Sequence, residues 1–313
     1  MWVRTLLRKY AIILKQILMK NNLLLNLLNA TRPYQWSKNF FVLVALVFSL
    51  RITDIVSVIA TLKAFIAFVL ISSTAYIIND LADIEKDKKH PQKKHRPIAA
   101  GKINFQTALS FAVLLLVSSF LISWSINGYF SLIISMYLSI QIAYSFLLKK
   151  AVIIDVFCIA LGFVLRLLGG AIAIGVGISS WFLLCAMMIS LFLGFCKRRH
   201  ELIVLGEKAH NHRPSLKKYS VIFLDQMIAV STSITIAGYS LYTMADETIE
   251  KFQTNNLIYT IPFVIYGVFR YLYFVYHKGR GGSPEGVVFG DIMLKIDIIL
   301  YIAITMAIIY FKI

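Results

Sequence analysis

Nine apolar stretches, each long enough to be a membrane-crossing helix, decide what this chain can become. They lie at about 39–57, 60–79, 104–124, 128–147, 152–175, 180–197, 219–244, 257–277 and 292–312. About 20 such residues cross ~30 Å of hydrocarbon as a helix. Inside lipid a backbone must satisfy its own polar groups, which a helix does and an open strand does not. The predicted fold class is therefore all-α, a polytopic membrane protein of about nine transmembrane helices. Hydrophobic residues make up 59% of the 313 and charged residues 15%, which excludes a soluble globule. Short connections leave a single transmembrane domain expected over 31–313.

The first 30 residues read differently. Apolar positions 3, 6, 7, 10, 13, 14, 17 and 18 recur at helical spacing, while Lys15, Gln16 and Lys20 interrupt any continuous apolar core. No small-residue cleavage site follows, so a removable leader is the weaker reading. Residues 1–30 are expected to form an amphipathic helix on the membrane surface, its basic face against anionic headgroups.

Charge then orients the spans. The even-numbered connections carry Lys86 to Lys102, Lys149 with Lys150, Lys197 to Lys218, and Lys278 with Arg280. The odd-numbered ones hold only Arg51 and Lys251, offset by Asp54, Asp246, Glu247 and Glu250. This asymmetry places the basic loops in the cytoplasm. The net charge of +17 is thus mostly topological, and no nucleic-acid footprint is seen. Cys158, Cys185 and Cys196 lie in apolar stretches without paired spacing and read as core thiols.

One polar stretch breaks this pattern where the second span ends: Asn79-Asp80-Leu81-Ala82-Asp83-Ile84-Glu85-Lys86-Asp87. At about 100° per residue, Asp80, Asp83 and Asp87 fall within an arc of roughly 60° on a helix, with Asn79 beside them. Carboxylates crowded this way repel unless a cation sits among them. Hard oxygen donors suit Mg²⁺ carrying a phosphate-bearing substrate. Lys86, Lys88, Lys89, Lys93, Lys94, Arg96 and Lys102 follow, enough positive charge to hold an anion. A solvated mixed-charge loop is the plainer alternative.

Ionisable groups inside spans are expensive and mark function or structural pairing. Asp155 and Arg166 are eleven residues apart, so they share a face of the fifth span. They point to a polar cavity open to the cytoplasm. Asp225, Arg270, Asp291, Lys295 and Asp297 sit in or near the cytoplasmic halves of the last three spans. Gly162, Gly169, Gly170, Gly175 and Gly177 permit close packing or a kink beside a cavity. The connection after the sixth span is overwhelmingly basic: Lys197-Arg198-Arg199-His200-Glu201, then Lys208, His210, His212, Arg213, Ser215, Lys217, Lys218 and Tyr219. Arg grips phosphate in a forked geometry, and the histidines lack zinc spacing. One acidic and one basic site around a cytoplasm-facing cavity fit transfer of a group from a soluble pyrophosphate donor to or from a lipid phosphate.

The stretch Asn79-Asp80…Asp83…Asp87 resembles the N-D-x-x-D-x-x-x-D pattern of the UbiA superfamily of intramembrane prenyltransferases, a bundle of nine transmembrane helices. Tyr144 through Lys149 and Lys150 looks like that superfamily's tyrosine-to-lysine element, with altered spacing. The chain is more similar to one branch, the decaprenyl-phosphate phosphoribosyltransferases. Arg32-Pro33-Tyr34-Gln35-Trp36-Ser37-Lys38-Asn39 looks like their entrance motif. The acidic motif continues in their manner through His90-Pro91, Lys93 and Arg96-Pro97-Ile98-Ala99-Ala100-Gly101. Further similarity lies in Asp155, Gly162-Phe163 with Arg166, Gly169-Gly170, Trp181-Phe182 and Lys197-Arg198 with Glu201. Weaker echoes are Ser215 with Tyr219, Arg270-Tyr271, and Pro284-Glu285 with Asp291. Aromatic prenyltransferases normally carry a second aspartate-rich motif after the sixth span. Here the basic run stands in its place, which favours the phosphoribosyltransferase branch.

The resemblance implies transfer of 5-phosphoribose from phosphoribosyl pyrophosphate to a polyprenyl phosphate, for a cell-envelope glycan precursor. It implies a multi-pass enzyme of the bacterial inner membrane with its active site facing the cytoplasm; homo-oligomerisation is left open. Asn79, Asp80, Asp83 and Asp87 are implied as Mg²⁺ ligands. Asp80, Asp83, Asp87 and Asp155 are the implied catalytic set, Asp155 meeting metal or ribose. Substrate contacts are implied at Lys38, Lys86, Arg96, Tyr144, Lys149, Arg166, Lys197, Arg198, Glu201 and Arg270. Prenyl transfer to a small aromatic acceptor is the alternative, and a membrane transporter a distant one.

Overall fold

The computed structural model describes residues 22–206, 214–279 and 281–312. Most of the expected surface helix, together with Glu207, Lys208, His210, His212, Arg213 and Arg280, lies outside the described residues. Among the described residues thirteen helices carry the fold: α1 (residues 22–30), α2 (Phe41–Phe48), α3 (Ile55–Ala82), α4 (Ile84–Lys89), α5 (Phe105–Trp124), α6 (Gly128–Phe146), α7 (Ile154–Ala173), α8 (Ser180–Leu205), α9 (Val221–Met244), α10 (Asp246–Phe252), α11 (Ile261–His277), α12 (Pro284–Gly290) and α13 (Ile292–Phe311). Short 3₁₀ turns occupy Pro33–Phe40, Lys93–His95, Leu148–Lys150, Pro214–Lys218 and Asn256–Thr260. No strand occurs among the described residues.

Among the described residues, eight helices are long and apolar enough to cross a membrane. They match the second to ninth expected spans. The first expected span, 39–57, is divided instead. Its α-helical part, α2, has eight residues and rises only about 12 Å, continuing the 3₁₀ helix Pro33–Phe40. Two local features end it. Leu50 adopts φ 62°, which breaks helical pitch. Asp54 then starts a new helix, accepting from the Val56 and Ser57 amides at 3.1 and 3.3 Å.

The chain divides into two compact units, residues 1–40 with 62–145, and 41–61 with 146–313. In the first, Ala30, Ile77, Ile98, Ile103, Ala108, Ala112 and Leu115 form a buried cluster. Small residues and hydroxyls let its helices approach closely. Ser119 Oγ, fully buried, donates to the Ala67 carbonyl at 2.9 Å. Phe68 meets Phe130 and Tyr137 edge to face. Asn104 caps α5 through the Thr107 amide at 2.7 Å.

In the second unit α8 packs against α7 and α9, α2 against α7, and α11 against α13. Val156, Ala160, Leu191, Phe192, Phe195, Cys196, Leu224 and Ile228 belong to its largest buried cluster. Glycine is required where α2 crosses α7. A Cβ on Gly170 would lie 2.1 Å from the Val42 carbonyl oxygen. Of the two roles open to the glycines of this segment, Gly170 serves close packing.

Candidate active site

In the first unit the apolar run of α3 ends on Asn79 and Asp80, and the chain keeps helical pitch past Ala82. The Asp83 amide donates to the Asn79 carbonyl at 3.0 Å, and the Asp87 amide to the Asp83 carbonyl at 2.8 Å. The four polar residues therefore stay on one side although α3 and α4 are separate helices. Asp80 and Asp87 are each only 3% exposed, and Asp83 is half-buried. Two carboxylates in so enclosed a place need positive charge. Arg96 Nη1 supplies it to both, at 2.9 Å from Asp80 Oδ1 and 2.6 Å from Asp87 Oδ2.

Arg32 also pairs with Asp80. Lys93 Nζ lies 3.9 Å from Asp87 Oδ1 and Lys86 Nζ 3.5 Å from Asp83 Oδ1. Sharing one nitrogen, the Asp80 and Asp87 oxygens lie no more than roughly 5–6 Å apart, the reach of two hydrogen bonds. At that distance two negative charges repel by about 3 kcal/mol at an effective dielectric near 20. Arg96 offsets this repulsion. Arg32 belongs to this centre as well. In sequence Arg32 stands in the stretch Arg32–Asn39, 48 positions from Asp80. Its signal was a cation beside Pro33 with no acidic neighbour in sequence to pair with.

The arrangement refines the expected metal site. Asp80 and Asp87 converge on one cationic point at Arg96 Nη1, and Asp83 faces Lys86. Among the described residues no group of three or more His, Cys, Asp or Glu is gathered closely enough to hold a metal. The donor chemistry still fits Mg²⁺, which binds through one or two carboxylates plus substrate phosphates and waters, not in an all-protein cage. Lys38 is half-buried on the 3₁₀ turn Pro33–Phe40, and Tyr144 half-buried near the end of α6.

The second unit builds a different kind of centre. Asp155, in the first turn of α7, has no exposed surface. Its Oδ1 accepts from Tyr219 OH at 2.7 Å, and its Oδ2 from Arg198 Nε at 2.7 Å and Ser215 Oγ at 3.1 Å. Arg198, 1% exposed, also donates from Nη1 to Glu201 Oε2 at 2.9 Å. The helical spacing of Arg198 and Glu201 explains that pair. Burial, then the hydrogen bond to Asp155, push the Tyr219 hydroxyl well above the ordinary tyrosine value. It stays a neutral donor.

These contacts redirect several expectations. Asp155, expected at metal or ribose, spends both oxygens on protein groups. Arg198, expected on a phosphate, is enclosed and held by two carboxylates. Arg166 is 4% exposed and donates to the Gly162 carbonyl at 2.8 Å, one turn back on its own helix. Its guanidinium carbon lies 5.6 Å from the Phe163 ring centre. Arg270 makes a two-pronged pair with Asp291, at 3.1 and 2.8 Å, and Asp291 also caps α13 through the Leu294 amide at 2.8 Å. That is a helix-fastening role. Lys149 and Lys197 are half-buried beside exposed or enclosed cations, Lys150 and Arg198 respectively. Arg199 pairs with Asp225, which also accepts from Tyr276 OH at 3.1 Å, so α8, α9 and α11 are tied together.

Known proteins place this geometry. The chain is 34% identical to a decaprenyl-phosphate phosphoribosyltransferase of Mycolicibacterium smegmatis, over 93% of this chain and 94% of that one. It is 31% identical to the protein of that name from Corynebacterium glutamicum, over 88% and 84%. Its fold matches a UbiA homolog from Archaeoglobus fulgidus solved with GPP and Mg²⁺. That match has a TM-score of 0.70 and 21% identity, over 91% of this chain and 99% of the other. The model of the UbiA prenyltransferase family matches residues 39–289, from Asn39 ahead of α2 into α12, which takes in the acidic stretch and Asp155 with its partners but not Arg32. The chain belongs to the UbiA prenyltransferase family.

Proposed function

We propose that this protein transfers 5-phosphoribose from phosphoribosyl pyrophosphate to a polyprenyl phosphate and releases pyrophosphate. The observation that carries this is the similarity, over nearly the whole of both chains, to phosphoribosyltransferases of that kind. The basic run Lys197–Lys218, standing where prenyl-transferring members carry a second acidic motif, supports the same reading. Basic connections on one side of the spans support a cytoplasmic orientation of the reacting groups in a bacterial plasma membrane.

The chemistry is a displacement at the anomeric carbon. The bond from that carbon to the pyrophosphate oxygen breaks, its electron pair leaving with pyrophosphate, while a bond to a lipid-phosphate oxygen forms. The acceptor is already anionic, so no strong base is needed. Asn79, Asp80, Asp83 and Asp87 would hold Mg²⁺, which supplies positive charge for the leaving pyrophosphate. Arg96, Arg32 and Lys93, paired with these carboxylates, would contribute positive charge for the donor phosphates beside the metal. Charge stabilisation of this type changes rates by about 10²–10³-fold per group. Lys197 serves the donor, and Lys149 with Lys150 the lipid phosphate.

The test is purified protein in detergent offered labelled phosphoribosyl pyrophosphate with a polyprenyl phosphate and, separately, a labelled prenyl diphosphate with an aromatic acceptor. Consumption of the first with release of pyrophosphate is expected. Consumption of the second alone returns the chain to prenyl transfer.

A further inference from the structure

The backbone just ahead of Asp155 is strained. Ile153 adopts φ 69°, ψ −51°, and the Ile154 amide reaches back to the Val152 carbonyl at 2.8 Å. That is the rare, strained form of the γ-turn, and a β-branched residue is ill-suited to positive φ. Such a conformation persists only where its surroundings over-determine it. The surroundings are visible. Tyr219 OH accepts from the Ile153 amide at 2.6 Å and donates to Asp155 Oδ1 at 2.7 Å. Asp155 is in turn fixed by Arg198 and Ser215. The Ile153 side chain is itself 37% exposed, so packing does not hold the turn.

The turn lies three residues beyond Lys150, where the 3₁₀ segment Leu148–Lys150 gives way to α7. That segment packs against the 3₁₀ segment Pro214–Lys218, which ends in the exposed pair Lys217 and Lys218 and leads directly to Tyr219. Two segments distant in sequence, each ending in a lysine pair, are thus neighbours, and Tyr219 ties the second to the turn that follows the first.

We propose that Tyr219, anchored by Asp155, is a positioning residue that clamps the strained turn at Ile153 and so sets Lys149–Lys150 beside Lys217–Lys218 as a platform for the lipid phosphate. This rests on the phosphoribosyl-transfer reading for the identity of the anion. Tyr219 contacts no reacting atom; it fixes the backbone from which the lysines extend.

The experiment is a cycle of Tyr219→Phe, Ile153→Gly and their combination. Glycine takes positive φ without strain, so it relieves the turn's need for a clamp, and the exposed Ile153 side chain gives up little packing. Tyr219→Phe is expected to weaken binding of a labelled polyprenyl phosphate, and raise its KM, about tenfold, with kcat within twofold. Ile153→Gly alone is expected to change both by less than twofold. The combination is expected to recover most of the lost affinity. No recovery in the combination, or a fall in kcat with KM unchanged, overturns the clamp. Thermal unfolding of the same variants reads the turn without any substrate: Ile153→Gly is expected to cancel most of the Tm loss of Tyr219→Phe, and additive losses overturn the proposal. Wild-type protein that ignores phosphoribosyl pyrophosphate would instead count against the function, while the thermal cycle still decides the clamp.

Discussion

Replacing Asp155 by Asn removes one negative charge from a carboxylate with no exposed surface and changes almost nothing in shape. The carboxamide oxygen still accepts from one of Tyr219 or Ser215. Arg198, 1% exposed, loses the partner at 2.7 Å and keeps Glu201 at 2.9 Å. Breaking a buried pair costs about 3–5 kcal/mol, because the remaining charge stays enclosed. Glu201 retains part of the compensation, so the lower figure, ~3 kcal/mol, is expected. For a chain of this size that corresponds to a Tm loss of roughly 6 °C. Arg198→Gln is expected to cost a similar amount. The double variant carries no buried charge mismatch and should cost less than the two single losses together by about 1.5 kcal/mol or more. The assay is thermal unfolding of detergent-purified protein by circular dichroism at several scan rates, since unfolding of such proteins is kinetically controlled. An Asp155→Asn Tm within about 1 °C of wild type, or strict additivity, would show that the pair does not hold Arg198 in place.

Asp80→Ala and Asp83→Ala are each expected to lower kcat/KM by at least ~10²-fold with unchanged helical circular dichroism; full retained activity removes the metal assignment from that residue. Gly170→Ala drives a methyl into the Val42 carbonyl, 2.1 Å away, and should destabilise by about 2–3 kcal/mol, seen as a lower Tm. Hydrogen bonding from Arg270 holds the Asp291 carboxyl below its ordinary value of 3.8. A depressed folded-state value means that the pair's stabilisation is present above the unfolded value and is lost as pH falls through the folded one. Wild-type Tm should therefore decline below about pH 4, and Asp291→Asn should flatten that part of the profile.

The spans were legible because eight runs stay predominantly apolar over 18 or more residues despite isolated charges, and lipid leaves the backbone one local solution. The division of the first run was not. Leu50 carries its positive φ without a glycine to announce it, and residues 33–40 wind as a 3₁₀ turn through polar Gln35, Ser37 and Lys38. The acidic stretch was legible as a one-faced cluster because its spacing survives the change from α3 to α4. Its counter-charges were only half legible: Arg96 follows it closely, but Arg32 meets Asp80 across 48 positions. Helical phase aligned Asp155 with Arg166, yet the partners of Asp155 stand 43, 60 and 64 residues away. Periodicity on one helix cannot report contacts made by another. The turn at Ile153 left no trace in sequence, since isoleucine is the residue least expected there.

The account turns on which group moves. The most direct measurement is the mass of the lipid formed when purified protein is incubated with polyprenyl phosphate, phosphoribosyl pyrophosphate and Mg²⁺. The account predicts a lipid heavier by one phosphoribosyl unit, with pyrophosphate released in equal amount. An unchanged lipid, or a prenyl chain found on a small acceptor, would contradict it.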